Sequence, residues 1–68
     1  MGLSIEVEQE EDGRWLAEVP ELSGVLAYGQ TRAEAIDRVK ASALRVIADR
    51  LDHGGPVPEL DRVFAVVA

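Results

Sequence analysis

The sequence predicts an α+β fold of order β-β-β-α-β. An antiparallel three-stranded meander carries one helix packed on one sheet face, and a fourth strand runs parallel to the first. Three observations lead there. Apolar and polar residues alternate through the early part of the 68-residue chain, the period-two signature of half-buried strands. The period then becomes helical, between the capping sequence Thr31-x-x-Glu34 and the stop Gly54-Gly55-Pro56. An uncharged run, Val63-Phe64-Ala65-Val66-Val67-Ala68, occupies the last residues.

The first strand is read from Leu3, Ile5 and Val7 alternating with Ser4, Glu6 and Glu8. Glu11-Asp12-Gly13 supplies a turn, with Gly13 free to take positive φ. The return strand covers 14–19, with Trp15, Ala17 and Val19 on one face and Leu16 and Glu18 on the other. Pro20 ends it, because proline has no N–H for the ladder. A short connection leads to a third strand over 25–28, broken by Gly29.

Thr31 and Glu34 form a capping box that opens a helix running to about residue 52 or 53. Ile36, Val39, Ala43, Leu44, Val46, Ile47 and Leu51 fall within an arc of roughly 160°. That arc is wider than a helix covering one sheet requires and predicts a second apolar contact. Val57-Pro58-Glu59-Leu60 is an extended linker, and 62–68 is the fourth strand, apolar on both faces. Such a strand is buried on both sides or sits in an interface, and left free at an edge it invites aggregation. Phe64, Val66 and Val67, with Val46 of the helix, are therefore the expected oligomer interface.

A chain of this length is one domain, 1–68, and buries only about 60% of its unfolded surface. Small domains need support from disulfides, metals or association. With no cysteine and one histidine, His53, association is the remaining support, and a homo-oligomer is expected. The missing cysteines fit a reducing cytosol. The first ten residues show no signal peptide, and no segment approaches the roughly 18 apolar residues of a membrane span. The chain reads as soluble and cytoplasmic.

The net charge is −6, and its placement matters more than its size. Glu6, Glu8, Glu10, Glu11, Asp12, Glu18 and Glu21 stand against the single base Arg14 in that stretch. Nucleic acid recruits Lys/Arg patches, so direct nucleic-acid binding is not expected. A basic protein surface is the natural partner of such a face. A purely solubilising role for the acids is the competing reading.

The ordered run Asp12-Gly13-x-Trp15-x-Ala17-x-Val19-Pro20-Glu21-Leu22-x-Gly24-Val25, continued by Ala27-x-Gly29-x-Thr31-x-x-Glu34-Ala35 and by Gly55-Pro56-Val57-Pro58, resembles the N-terminal domain of HicB-type antitoxins. The likeness spans about 5–58. It implies a partial ribonuclease-H-like sheet with one helix, and a small basic mRNA-cleaving toxin (HicA-like) as partner. It implies no catalysis and no cofactor. Two departures stand out. Family members commonly carry a C-terminal DNA-binding module for which 68 residues leave no room, so operator binding is not carried over. Val25 also stands where the family often has cysteine.

The expected toxin-binding residues are Glu6, Glu8, Glu10, Trp15, Glu18 and Glu21. Trp15 is included because tryptophan is enriched at the centres of interfaces, although a sheet-covering aromatic needs no such role. An orphan oligomeric adaptor without a toxin is the second reading. A two-metal nuclease is the third; it would draw on Glu6, Glu8, Glu34, Asp37 and Asp61. It is disfavoured because Glu6 and Glu8 face away from the helix if Ile5 and Val7 face it. His53 is read as a capping or exposed group at the helix C-terminus.

Overall fold

Three four-residue strands, β1 (Glu6–Gln9), β2 (Trp15–Glu18) and β3 (Leu26–Gly29), form an antiparallel sheet of order β1-β2-β3, and α1 (Arg32–Asp52) lies across one face. The computed structural model describes residues 2–58, 60 and 63–67. The register pairs Val7 with Ala17 and Ala17 with Ala27, and Gln9 with Trp15 and Trp15 with Gly29. Those rows face the helix. The alternate rows, Glu6–Glu18–Leu26 and Glu8–Leu16–Tyr28, face the other way.

The connections are tight for local reasons. At the first turn, Glu10 N donates to Arg14 O at 2.7 Å and Gly13 N to Glu10 O at 3.0 Å, with Gly13 at φ 91°. Between β2 and β3, Leu22 N donates to Val19 O, and Val25 N to Leu22 O. These two turns fold Leu22 back under the sheet, leaving it 1% exposed. The sequence reading treats 21–24 only as a connection; here it supplies one of the two largest fully buried side chains, Leu22 beside Val39. Each such burial contributes about 1.5–3 kcal/mol.

The helix start follows the capping prediction with one refinement. Thr31 Oγ1 accepts from Glu34 N at 3.1 Å, and Glu34 Oε1 accepts from Gln30 N at 2.9 Å, one residue before the cap. Arg38 Nη1 lies 3.3 Å from Glu34 Oε1, an i,i+4 pair, and also donates to Tyr28 O at 3.0 Å. At the far end Gly54 N donates to Leu51 O, and Gly55 N to Arg50 O at 2.7 Å, with Gly54 at φ 73°. That is a complete Schellman stop.

The buried stripe of α1 is Ala35, Val39, Ala43 and Ile47. It packs on Ala17, Val19, Leu22, Val25 and Val57, with Leu3, Ile5, Val7, Trp15, Ala27, Val46 and Leu60 around it. Small residues let the helix approach closely. A Cβ on Gly29 would stand 2.5 Å from Ala35 N and 3.0 Å from Ala35 Cα, both fixed backbone atoms. The helix lies mostly over β3, less over β2 and least over β1. Among the described residues, no helix is long and apolar enough to cross a membrane.

One expected element is not seen among the described residues. The fourth strand expected over 62–68, parallel to β1, is not part of this sheet, which has three strands among the described residues. Residues 62 and 68 lie outside the described residues. Over 63–67 the chain makes no ladder, and Val63, Phe64, Val66 and Val67 are exposed. The local reason is a turn: Val63 N and Phe64 N both donate to Leu60 O, so the chain leaves the core just after Leu60 has packed on it. A strand exists only through a neighbour's hydrogen bonds, and this segment meets no ladder among the described residues.

Two substitutions test this account. Gly29→Ala should lower stability by about 1–3 kcal/mol, because the added methyl meets backbone that cannot turn aside. Thr31→Ala should cost about 1 kcal/mol through the lost cap. Urea unfolding followed by Trp15 fluorescence measures both; a Gly29→Ala variant as stable as the parent would contradict the close helix–strand approach.

Candidate protein-binding face

One helix covers one side of the sheet, so the other side is open. Its composition follows from the register. On β1 stand Glu6 and Glu8, on β2 Leu16 and Glu18, on β3 Leu26 and Tyr28. Glu6 and Glu8 line the β1 edge, Glu18 and Leu16 occupy the central strand, and Leu26 and Tyr28 stand on the opposite edge, β3. Leu26 is 48% and Tyr28 39% exposed, while Leu16 is half-buried. A shallow depression of about 260 Å³ lies among Glu6, Val7, Glu8, Leu16 and Glu18.

Glu6 and Glu18 are direct cross-strand partners. Like charges placed opposite each other in a ladder destabilise it, and here the register holds them there. Glu8, by contrast, pairs with Leu16. The Glu6–Glu18 rung is thus a place where two negative charges gain from a cation brought between or above them.

At the turn end the face is fixed by Arg14. Its backbone N–H donates to Asp12 Oδ1 at 3.0 Å and its Nε to Asp12 Oδ2 at 2.7 Å. The same guanidinium sits 4.5 Å from the centre of the Tyr28 ring, a cation–π contact. The Arg14 backbone donor, followed by its side chain, holds the Asp12 carboxyl below its usual range. The one base of this region is therefore already engaged by an acid and an aromatic ring, leaving Glu6, Glu8 and Glu18 as the unneutralised charge of the face.

The structure divides the six expected binding residues. It brings Glu6, Glu8 and Glu18 together on the open face. Glu10 lies in the turn just past β1, half-buried. Glu21 lies in the loop after β2 and is tied down: Ser4 Oγ donates to Glu21 Oε2 at 2.7 Å, and Ser4 N donates to both carboxylate oxygens at 3.2 Å. The Ser4 hydroxyl, first, lowers the Glu21 pKa. This carboxylate takes the place of the ladder acceptor at the point where β2 gives way to Pro20. Trp15 is on the opposite side. It sits half-buried across from Gly29, on the helix-facing surface, because its parity is that of Ala17.

Leu16, Leu26 and Tyr28 are the site residues that the expected set leaves out. Parity alone could have found Leu16, which shares its face with Glu18. Placing Leu26 and Tyr28 beside it requires the β2–β3 register. The expected interface residues Phe64, Val66 and Val67 are exposed, whereas Val46 is half-buried against the core.

Of the carboxylates named for a nuclease, those among the described residues are not gathered. Glu6 and Glu8 are on the open face, Glu34 is at the helix cap on the other, and Asp37 is exposed on α1. Asp61 lies outside the described residues. Among the described residues no group of three or more His, Asp or Glu side chains is placed to share a cation. His53 stands at the helix end with Nδ1 2.8 Å from Asp49 O and 3.5 Å from Asp49 Oδ1.

A scan against protein-family models and a search of curated proteins found no match to the chain. Among solved structures, the fold matches the crystal structure of the N-terminal domain of the Burkholderia pseudomallei antitoxin HicB. The TM-score is 0.78 and the identity 20%, over 100% of this chain and 74% of that one. The two share a fold: a three-stranded antiparallel sheet with one helix on it.

The Ser4–Glu21 contact gives a pH-dependent expectation. Because the folded-state pKa of Glu21 is lowered, its contribution to stability is present above the ordinary glutamate range and lost as pH falls through the folded value. Ser4→Ala should move the Glu21 titration, followed by NMR, upward toward that range and make the acid decline of stability shallower. An unchanged Glu21 titration in the variant would show that the contact does not form in solution.

Proposed function

We propose that this chain is a HicB-like antitoxin: a non-catalytic cytoplasmic protein that binds a small, basic, mRNA-cleaving toxin of HicA type and covers the surface with which that toxin grips RNA. Two lines support the reading. The chain has the fold of an antitoxin's N-terminal domain. Independently, its open sheet face has the build of a docking surface for a cationic protein, apolar at Leu16, Leu26 and Tyr28 and acidic at Glu6, Glu8 and Glu18.

The single observation that carries the reading is the Glu6–Glu18 pair. A sheet that only needed solubility could place these acids anywhere on its exposed rows. Opposed in one rung, they cost the free protein stability, and local rules broken without compensation cluster at functional sites. A lysine or arginine from a partner would relieve the repulsion and be held by two carboxylates at once. Charge of this sign speeds encounter with a basic protein and repels RNA from the same surface. Leu16, Leu26 and Tyr28 would then supply the desolvated centre of the contact. The protein acts by occupying the toxin, with no bond made or broken. Phe64, Val66 and Val67 join copies of the chain into a dimer or dimer of dimers.

The test is binding to the small basic protein encoded beside the gene. Glu18→Gln should weaken binding about tenfold or more, the scale of a charge pair lost at an interface, while raising the stability of the free chain by a few tenths of a kcal/mol. The wild-type affinity should fall as salt rises. Calorimetry measures the affinity, and urea unfolding the stability. A Glu18→Gln variant that binds as tightly as the parent would remove the acidic rung from the contact, and a basic neighbour that fails to bind the wild type would sink the antitoxin reading.

A further inference from the structure

β1 is an edge strand with an unused row of hydrogen-bonding groups. Glu10 N donates to Arg14 O, and Ser4 N to the Glu21 carboxylate beyond β2. The even-numbered residues of this segment therefore turn their N–H groups toward β2. Alternation turns the N–H and C=O groups of Ile5, Val7 and Gln9 outward, and no strand pairs with them among the described residues.

Beside that edge the helix leaves a gap. Because α1 lies over β3 and β2 and reaches β1 least, an apolar groove of about 360 Å³ opens along it. Leu3, Ile5, Ala43, Leu44 and Ile47 line it, with Lys40 on its wall. Leu44, on the helix side of the groove, is 66% exposed. Leu44, a member of the helix's apolar arc that the sheet leaves uncovered, thus borders this groove.

The chain holds one segment that fits. Residues 63–67 are uncharged, and Val66 is 101% and Val67 92% exposed. Five extended residues span about 17 Å, enough to run the length of β1. A second β1 is a poor occupant, because Glu6 and Glu8 would be brought against the same acids of the other copy, the charge pattern by which edge strands avoid self-pairing. An uncharged apolar strand meets no such repulsion. Nor do residues 63–67 of the same chain pair with this edge among the described residues: Val63 and Phe64 N–H turn back to Leu60 O, and Val66 and Val67 are exposed.

We infer that residues 63–67 of a second copy add to the free edge of β1, hydrogen-bonding to Ile5, Val7 and Gln9 and laying alternate side chains in the groove. Made reciprocally, the contact is an exchange of identical segments between two chains. The fourth strand predicted by the sequence then exists, supplied by a neighbour. This deepens the assembly part of the function proposed above and is independent of the toxin: the chains exchange tails whether or not a basic partner binds them.

The experiment combines sedimentation with amide hydrogen exchange on the full chain. The wild type should sediment as a dimer or larger, with the amides of Ile5, Val7 and Gln9 protected roughly tenfold or more over an open edge. Val66→Asp should sediment as a monomer in which those three amides lose protection, while the helical amides of Val39 and Ala43 keep theirs. A wild type that remains monomeric across the accessible concentrations overturns the inference, whether its β1 edge is open or closed by its own tail. Should Val66→Asp unfold, a wild-type sample mixed from labelled and unlabelled chains decides. Contacts between the Val66 or Val67 methyls of one chain and Ile5 of another establish the exchange, and their absence in the dimer refutes it.

Discussion

The close approach of two backbones, at Gly29 and Ala35, fixes the rest of the molecule. With no side chain at Gly29, the first turn of α1 sits directly on the end of β3, at a separation where an added Cβ would meet Ala35 N at 2.5 Å. The capping contacts around Thr31 and Glu34 set the helix direction at the same place. From that anchor the small residues Ala35 and Ala43 keep the helix low over the sheet, and Val39 and Ile47 share one core with Val19, Leu22 and Val25. An anchor on β3 also explains why the helix favours that side and leaves β1 under-covered.

Both features that bear on function follow from this off-centre packing. A single helix on a three-stranded sheet leaves the second face to solvent, so whatever the register places there becomes surface. Here it is a set of carboxylates beside Leu16, Leu26 and Tyr28. The same placement leaves β1 with an unpaired edge and an apolar groove alongside, in a chain whose apolar tail has no site of its own. The two surfaces are distinct: one is a sheet face suited to a cationic protein, the other an edge suited to an uncharged strand. A molecule that presents both can assemble with itself and still keep the acidic face open.

Electrostatics sharpen the division. Asp12 is engaged by Arg14, which also covers Tyr28, and Glu21 is engaged by Ser4. Those acids serve turns and strand ends. Glu6 and Glu18, held opposite each other in the ladder, make no side-chain hydrogen bond or ion pair among the described residues. The carboxylates thus separate by local geometry into structural acceptors and acids held on the open sheet face, a distinction invisible in a net charge of −6.

Local physics made much of this legible in the sequence alone. The hairpin around Gly13, the strand end at Pro20, the cap at Thr31 and the stop at Gly54-Gly55 each depend on residues within a few positions of one another, and each lies where backbone stereochemistry requires. The meander and the helix on one face follow from those signals and from hydrophobic period. Trp15, too, is placed by parity with Ala17 and Val19, opposite Glu18. Only the tertiary structure decided that Leu26 and Tyr28 join the acids, that Leu22 fills the core, and that residues 63–67 meet no ladder among the described residues. Those outcomes depend on register and on which edges are occupied, and both are settled by contacts between segments far apart in the chain.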